Sequence, residues 1–335
     1  MKVTLHEVAA RAGVSIATVS RALNGLPVSA ENRARVEAAV ADLGYVANEA
    51  ARSLRAERTM TLGVVFHDLA NTLGIELLDA LSEAVEGAGY SLLITTARGD
   101  LDRYDLLMRR FLERRIDAVF AIRPRGGGAQ LARYEAAGIP VLTLFSGGGA
   151  YADLPCLAPT FAKPAKELAD HLIGLGHRRI ALVAAAGEAM GGPMRSIAET
   201  LKGRGLEAVT AEPSSGGGMN EMLAALMQGP DRPTCLVAVD PNSRTLLGAC
   251  QALGLAVPGD VSLVAISEIA HDNQRRGRDV TSVVIDPHNM GRAAGAAMLA
   301  WLAGQRPPGR VRVDAGFFAA RASTGPAPPM NSGAG

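Results

Sequence analysis

Residues 4–24, TLHEVAARAGVSIATVSRALN, contain two short amphipathic segments separated by a glycine. Four apolar residues of the first segment recur at helical spacing and predict one buried face: Leu5, Val8, Ala9 and Ala12. Gly13 stands where the chain must turn sharply, and glycine adopts positive φ without steric cost. Ser15 is a suitable N-cap for a second helix that places Val19 and Leu23 inward. The stretch therefore predicts a helix, a tight turn and a second helix.

The second predicted helix leaves four side chains pointing outward near its start: Ile16, Ala17, Ser20 and Arg21. A helix–turn–helix of this size fits the major groove of DNA, where the N-terminal residues of the second helix meet the base edges. The periodicity alone does not separate this prediction from a pair of small surface helices in an enzyme, because alanine-rich helix pairs are common. Further features of the chain are therefore needed to distinguish DNA binding from this alternative.

A third helix is predicted to begin near Ser29 and Glu31 and to end at Gly44, which is a suitable C-cap. Its apolar face contains Val36, Val40 and Leu43. Three helices in about the first 45 residues make a small headpiece. The next segment, VANEAARSLRAERT, is short, and an isolated helix below about 12–15 residues is marginal in water. We expect this segment to be helical only when something packs against it.

From Thr61 onward, short apolar runs alternate with amphipathic helical stretches. Seven runs read as buried parallel strands: TLGVVF, YSLLITT, DAVFAI, IPVLTLF, RRIALVAA, TCLVAV and VSLVAI. Repeated βα units imply a doubly wound α/β architecture. The strands are too numerous for a single sheet of this kind, and the alternation of strands and helices restarts near residue 160. Two similar lobes are therefore predicted.

The bulk composition is that of a globular protein with two or three folding units. The chain has 335 residues, of which 48% are hydrophobic and 20% are charged. The net charge is only +1, but residues 1–58 contain eight Lys or Arg against six acidic residues. This excess of +2, which leaves −1 for the rest of the chain, fits a nucleic-acid partner without establishing one.

Other sequence features argue against several classes of function. The three cysteines, Cys156, Cys235 and Cys250, lack metal-ligand spacing and read as small buried residues in a reducing cytoplasm. We recognise no signal peptide and no membrane span, which predicts a cytoplasmic protein. The glycine runs do not match a phosphate-binding loop, and no catalytic constellation is visible. We therefore expect no enzyme activity, no cofactor and no metal site.

The string GVSIATVSRALNG, at residues 13–25, resembles the lactose-repressor (LacI/GalR) family of bacterial transcription regulators. The similarity continues through residues 28–65, VSAENRARVEAAVADLGYVANEAARSLRAERTMTLGVV, and extends to about residue 324. It implies an α plus α/β fold with a three-helix headpiece and a hinge helix. A two-lobed domain similar to periplasmic binding proteins, built from doubly wound parallel sheets, would follow. The implied boundaries are 1–46 for the headpiece, 47–59 for the hinge, 60–327 for the lobes and 328–335 for a disordered tail.

The DNA contacts are predicted partly from residue type and partly from the resemblance. Short polar side chains suited to phosphate contacts are Thr4, Ser15, Thr18, Ser20 and Asn24. The resemblance assigns base contacts to Ile16, Ala17 and Arg21. It also implies that Ala51 allows two hinge helices to approach closely and that Leu54 wedges a base step open in the minor groove. The alternative for Leu54 is an ordinary core leucine.

The resemblance also implies an effector site between the lobes. Arg195 and Asp240 match two of the family's ligand-contacting positions, although Arg195 also reads as a surface arginine near a helix start. At other positions where the family has ligand-contacting residues, this chain has different residues. They are Leu73-Gly74, Pro159, Val239 and Ala265-Ile266-Ser267-Glu268. We therefore expect either an atypical effector or weakened effector control.

The leading prediction is a homodimeric repressor that binds a pseudo-palindromic double-stranded DNA operator and responds to a small-molecule effector. The effector would be a carbohydrate or a sugar acid, and no membrane would be involved. The alternative from another class is a solute-binding protein or ligand sensor that keeps a vestigial headpiece. An enzyme on a nucleotide-type fold has little support because no phosphate loop or acid–base pair is visible.

Overall fold

The structure is a computed structural model. It describes residues 3–23, 26–45, 58–67, 72–124, 128–145, 149–184, 192–213, 218–239, 242–268 and 280–329. The described residues divide into two compact units. The first contains the residues up to Thr61 together with residues 115–117, and the second contains the rest.

The headpiece, which we define as the described residues between 3 and 45, consists of three helices. They are α1 (Leu5–Ala12), α2 (Ile16–Leu23) and α3 (Ala30–Leu43). The predicted helices and turn are confirmed, with Val19 buried on α2 and Ser15 accepting a hydrogen bond from the backbone of Thr18. The buried core draws on all three helices: Val8, Ala9, Ala12, Val19, Val36 and Ala39.

The turn between α1 and α2 favours glycine because of its backbone conformation. Gly13 adopts a φ of 64°, in the left-handed region that favours glycine. The guanidinium of Arg35 also covers this residue, donating from Nη2 to the Gly13 carbonyl oxygen at 3.0 Å. A Cβ at position 13 would collide with that nitrogen. The end of this flexible side chain can move aside, so the requirement for glycine at the turn is conformational.

The second unit contains two six-stranded sheets. The strands of the first sheet are β1 (Thr61–Phe66), β2 (Ser91–Thr96), β3 (Ala118–Ile122), β4 (Val141–Leu144), β5 (Cys156–Pro159) and β11 (Arg310–Val313). Their order across the sheet is β11-β5-β4-β3-β1-β2. Every residue of β3 and β4 is buried, so both faces of the sheet are covered. The helices α4 (Thr72–Glu86), α5 (Leu101–Glu113), α6 (Gly128–Ala136) and α11 (Pro287–Leu302) belong to this first lobe.

The second lobe repeats this architecture. Its strands are β6 (Arg179–Val183), β7 (Glu207–Ala211), β8 (Cys235–Val239), β9 (Ser262–Glu268), β10 (Thr281–Ile285) and β12 (Gly316–Ala319). Their order is β12-β10-β9-β8-β6-β7. The helices of this lobe are α7 (Ala162–Gly174), α8 (Gly192–Gly203), α9 (Met219–Leu226) and α10 (Asn242–Ala252). The predicted pair of lobes built on doubly wound sheets is thereby confirmed.

The structure adds five strands to the seven read from the sequence: β5, β7, β10, β11 and β12. Edge strands such as β7 and β11 are largely exposed, so they lack the continuous apolar run that identifies a buried strand. The edge strand β12 pairs antiparallel with β10, which departs from an all-parallel second sheet. The chain also returns to the first lobe after β10, through α11 and β11, so the lobes are not two successive halves of the sequence.

Three crossover segments connect the lobes and bind one another. They lie near Thr160, at Asp286, and between Asp314 and Ala315. The Thr160 amide donates to Val313 at 2.8 Å, and the Asp286 amide donates to Ala315 at 2.7 Å. These hydrogen bonds join the crossovers into a single backbone cluster.

The packing of α4 on α11 depends on small residues. A Cβ on Gly291 would lie 2.7 Å from the Cβ of Ala80, and one on Gly295 would lie 2.5 Å from the Cβ of Ala84. Both distances are shorter than non-bonded carbon atoms tolerate, so glycine allows the two helices to approach.

In the second lobe, residues 321–327 are attached through a buried histidine. His177 is fully buried, with Nε2 3.1 Å from the Gly325 carbonyl oxygen and Nδ1 2.8 Å from Oγ1 of Thr234. A carbonyl only accepts hydrogen bonds, so Nε2 carries the proton and Nδ1 accepts from the threonine. Burial lowers the pKa of His177, since the charged form loses its hydration, and the imidazole is neutral in the folded protein.

We predict that Gly295→Ala destabilises the protein by about 1–3 kcal/mol, because the added methyl group overpacks the contact with α4. The matched control is Gly248→Ala, a helical glycine with open space around its Cβ position. That substitution should raise the free energy of unfolding by roughly 0.5–1 kcal/mol. Urea denaturation measures both, and equal effects of the two substitutions would contradict the packing argument.

We predict that acid weakens the second lobe through His177. A depressed pKa means that the neutral ring contributes stability above its ordinary pKa of 6.5, and that this contribution is lost as pH falls below that value. The free energy of unfolding should therefore fall on acidification, and less steeply in His177→Gln. Burial also lowers the pKa of His171, so some slope should remain. The control His288→Gln should keep the wild-type slope in urea denaturation at several pH values.

Candidate functional site

The second helix of the headpiece presents a continuous exposed face. Val19 is buried, whereas Ile16 is 37% exposed and both Ala17 and Arg21 are exposed to solvent. Residues 16, 17 and 21 lie on one side of a helix with 3.6 residues per turn. The outward positions expected from the sequence are thus exposed, except that Ser20 is only half-buried.

The arginines of the headpiece fall into two groups. Three have partners inside it: Arg11 with Asp42 at 2.8 Å, Arg33 with the carbonyls of Ala22 and Leu26, and Arg35 with Gly13. The guanidinium of Arg21 forms no hydrogen bond or ion pair within the described residues. Its guanidinium is therefore available to a partner outside the headpiece, on the face formed by residues 16, 17 and 21.

The short polar residues around this face hold the helix ends. Oγ of Ser15 lies 2.9 Å from Oγ1 of Thr18 and also accepts the Thr18 amide. Thr4 caps α1, and both its amide and its hydroxyl donate to the carboxylate of Glu7. The two hydrogen bonds from Thr4, of which the backbone bond is the stronger cause, lower the pKa of Glu7. Asn24 lies outside the described residues.

The described end of the linker is attached to the strand edge by one carboxylate. Asp117 accepts the Thr59 amide at 2.7 Å, the Thr59 hydroxyl at 2.9 Å and the Met60 amide at 3.0 Å. The Asp117 amide in turn donates to the Thr61 carbonyl oxygen at 2.9 Å. We call this arrangement the linker clamp. It lies where β1 and β3 begin, and the sequence analysis did not identify it.

The backbone on both sides of the linker clamp is conformationally costly. Met60 has a φ of 51° and Arg115 a φ of 53°, both in the left-handed region that residues with a Cβ avoid. Such conformations persist where surrounding contacts over-determine them. The three hydrogen bonds to Asp117 supply contacts of this kind next to Met60.

The effector residues predicted from the sequence are only partly described. Arg195 lies in the first turn of α8, exposed, beside the buried Met194. Asp240, like Ala51 and Leu54 of the predicted hinge, lies outside the described residues. The position of Arg195, on the helix after β6, puts it on the carboxyl side of that strand, where α/β sheets bind ligands.

Two family models match this chain. The model described as bacterial regulatory proteins, lacI family, matches residues 4–48, and a periplasmic-binding-protein-like domain matches residues 169–324. The transcriptional regulator GntR of Pseudomonas aeruginosa is 31% identical over 324 residues, covering 90% of this chain and 90% of the relative.

The chain belongs to the LacI family.

Other comparisons agree with this membership. The lactose operon repressor of Escherichia coli is 28% identical, covering 79% of this chain and 76% of that protein. A solved structure of the lac repressor dimer bound to operator and the anti-inducer ONPF aligns with a TM-score of 0.80 at 22% identity. That alignment covers 97% of this chain and all of the repressor chain, and it confirms the fold.

Membership in the LacI family makes this protein a DNA-binding transcription regulator, as its relatives are. The family does not consist of enzymes, and a solute-binding protein with a vestigial headpiece is not favoured. The described residues contain no group of His, Cys, Asp or Glu side chains placed to hold a metal ion. Within the same residues, no helix is both long and apolar enough to cross a bilayer.

The three cysteines are free and buried, as the sequence analysis expected. Burial raises the pKa of the Cys235 thiol and, less strongly, that of Cys250. A buried thiol with a raised pKa contains little thiolate and is a poor nucleophile. Cys250 packs in the core cluster of the second lobe, and Cys235 is fully buried on β8.

We predict that Asp117→Ala releases residues 59 and 60 from the linker clamp. Loss of the acceptor should speed amide hydrogen exchange at Thr59 and Met60 by at least about tenfold, because hydrogen bonds to charged groups contribute about 1.5–3 kcal/mol. The matched control is Asp100→Ala, which removes a carboxylate that caps α5 through the Arg103 amide. Unchanged exchange at residues 59 and 60 in Asp117→Ala would show that the clamp does not hold the linker.

Proposed function

We propose that this LacI-family regulator is a homodimeric repressor that binds a pseudo-palindromic double-stranded DNA operator and is controlled by a small-molecule effector. The observation that carries the DNA-binding part is Arg21, which is exposed on α2 and has no partner within the described residues. A buried or internally paired arginine at this position would speak against DNA contact. The lac repressor dimer on its operator supports the two-fold arrangement by similarity of fold.

In this proposal α2 lies in the major groove. Arg21 donates two hydrogen bonds to a guanine, and Ile16 and Ala17 make apolar contacts with bases such as thymine. The phosphate contacts fall to Thr4, Ser15, Thr18, Ser20 and Asn24. Since the hydroxyl of Thr4 donates to Glu7 in the free headpiece, a phosphate contact through that hydroxyl requires it to exchange partners.

The hinge assignments remain proposals by family resemblance. Ala51 would allow the two hinge helices to approach, and Leu54 would wedge a central base step open. Residues 47–59 form the hinge in this scheme, between the headpiece of residues 1–46 and the lobes of residues 60–327. Residues 328–335 form a tail. Because transcription regulators meet the chromosome in the bacterial cytoplasm, we propose that location for this protein.

The effector is proposed to be a carbohydrate or sugar acid bound between the lobes, with Arg195 and Asp240 among its contacts. A structural neighbour described as a complex of the regulator CelR with cellobiose supports a saccharide ligand by similarity of fold. The crossover cluster would allow the lobes to change their angle, and the linker clamp would transmit that change to residues 59 and 60. An effector acts in this way only if it binds the two lobe arrangements with different affinity.

We predict that Arg21→Ala relaxes sequence preference at one base pair of each half-site. Affinity for the preferred duplex should fall by about 1–3 kcal/mol per contact, whereas affinity for unrelated duplexes should change little. Selection from a randomised duplex library, followed by titration at fixed salt, measures both quantities.

The matched control is Arg11→Ala, which removes the same charge from the headpiece outside α2. Arg11 and Asp42 form an exposed ion pair, which typically contributes less than about 1 kcal/mol to stability. This variant should keep the sequence preference of the parent protein. Equal weakening of all duplexes by Arg21→Ala would contradict the assigned base contact, and the absence of any preferred duplex for the parent would contradict the proposed function.

A further inference from the structure

Four side chains stand in a row at the carboxyl edge of the first sheet. Phe145 follows β4, Arg123 follows β3, His67 follows β1, and Arg98 lies two residues after β2. The strand order β4-β3-β1-β2 places these residues side by side. We call the four the carboxyl-edge row. Ligands of α/β proteins bind outside the carboxyl ends of the strands, so this row occupies a ligand-binding position.

Backbone hydrogen bonds continue from the strands into the row. Phe66 is in register with Ile122, so His67 and Arg123 are the next residues of two strands about 4.8 Å apart. The Arg123 amide donates to the Leu144 carbonyl at 3.0 Å, and the Gly99 amide donates to the His67 carbonyl at 2.9 Å. The backbone positions of His67 and Arg123 are therefore set by the sheet itself.

Three members of the row adopt a conformation that favours glycine. The φ angles are 56° for Arg98, 47° for Arg123 and 62° for Phe145. Glycine would take these angles without strain, yet this chain has two arginines and a phenylalanine there. Non-glycine residues in the left-handed region cluster at ligand clamps and active sites. Because this backbone conformation costs free energy in residues with a Cβ, we expect these side chains to have a function.

The charge of the row is positive and uncompensated within the described part of the chain. Arg98 and Arg123 are exposed, and neither forms an ion pair with another described residue. Asp100, two residues from Arg98, is occupied by the Arg103 amide at the start of α5. Between the two arginines, Nδ1 of His67 is buried and has no hydrogen-bond partner among the described residues. The row thus offers two exposed guanidinium groups that form no ion pair with another described residue.

We infer that the effector of this protein is an anionic sugar derivative whose carboxylate or phosphate group binds Arg98 and Arg123. This inference rests on the proposed function, because it identifies the chemical class of the effector in the same cleft. The planar guanidinium pairs with carboxylate and phosphate oxygens through two parallel hydrogen bonds. Phe145 offers an aromatic surface for the sugar ring. Neutral sugars lack an anionic group that the two arginines could recognise.

The test uses Arg123→Gly and Arg98→Gly in the full-length protein. Glycine keeps the left-handed backbone and removes only the side chain, so the fold should be preserved or slightly stabilised. Isothermal titration calorimetry would measure binding of D-glucuronate, D-galacturonate, D-gluconate and D-glucose 6-phosphate. The neutral parents D-glucose and D-galactose serve as matched ligands. The acids and the phosphate ester distinguish the two possible anionic groups.

At least one anion should bind the parent protein, and should bind at least about tenfold more tightly than its neutral parent sugar. Each glycine variant should weaken that anion by about tenfold or more and leave neutral sugars within about twofold. The control Arg133→Gln removes an exposed arginine of α6 that hydrogen-bonds Gln130, and it should leave all affinities unchanged. High salt should weaken binding of the anion, because the contact is electrostatic.

Three results would overturn the inference: no anion of the panel binds, neutral and acidic sugars bind equally, or the glycine variants retain full affinity for the anion. None of these results would contradict the proposed DNA recognition. That proposal is tested separately by duplex selection with the same parent protein. A protein that prefers one duplex but binds neutral sugars keeps its proposed function and loses this inference. A protein without any preferred duplex loses the proposed function, whichever ligand it binds.

Discussion

Burial of the parallel strands on both faces restricts where the lobes can carry polar chemistry. β3 and β4 of the first sheet have no exposed residue, so their side chains serve the core along their whole length. Charged groups can stand only where a strand begins or ends. The amino edge of that sheet holds the linker clamp around Asp117, and the carboxyl edge holds Arg98 and Arg123. Five non-glycine residues in the described part of the chain have positive φ, and all of them lie near one of these edges.

This arrangement gives the two edges different proposed roles in one lobe. In our proposal the carboxyl edge binds the effector, whereas the amino edge holds the residues that continue toward the headpiece along the chain. A rigid sheet between them can carry a change of lobe angle from one edge to the other, with the crossover cluster near Thr160 and Asp286 as the hinge. The coupling then needs only two lobe arrangements that the effector binds with different affinity. In the headpiece, three arginines bind partners within the small fold, and Arg21 remains available to DNA.

The extent to which the sequence predicted the structure follows from the range of the interactions involved. Capping and helical periodicity are local, so Ser15, Gly13 and Val19 were assigned correctly from the first 24 residues. Exposed edge strands such as β7 and β11 were missed, because pairing with one neighbour leaves no apolar run in the sequence. The return of α11 to the first lobe was missed as well, since its contact with α4 joins residues about 210 positions apart. The clamp residue Asp117 and the cations Arg98 and Arg123 sit in unremarkable local sequence, and their positions at strand ends become meaningful only once the strand order is known.

The sequence by itself determined the three-helix headpiece, the family and the alternation of strands and helices. Each follows from the local spacing of apolar residues or from similarity to the family over a long stretch of sequence. The tertiary structure alone decided which arginine of the headpiece is unpaired, which carboxylate holds the linker and which side chains line the sheet edges. Those properties depend on contacts between residues distant in the chain. Arg11 and Arg21 look alike in the sequence. Asp42, folded back against α1 from the end of α3, binds Arg11 and leaves Arg21 for an external partner.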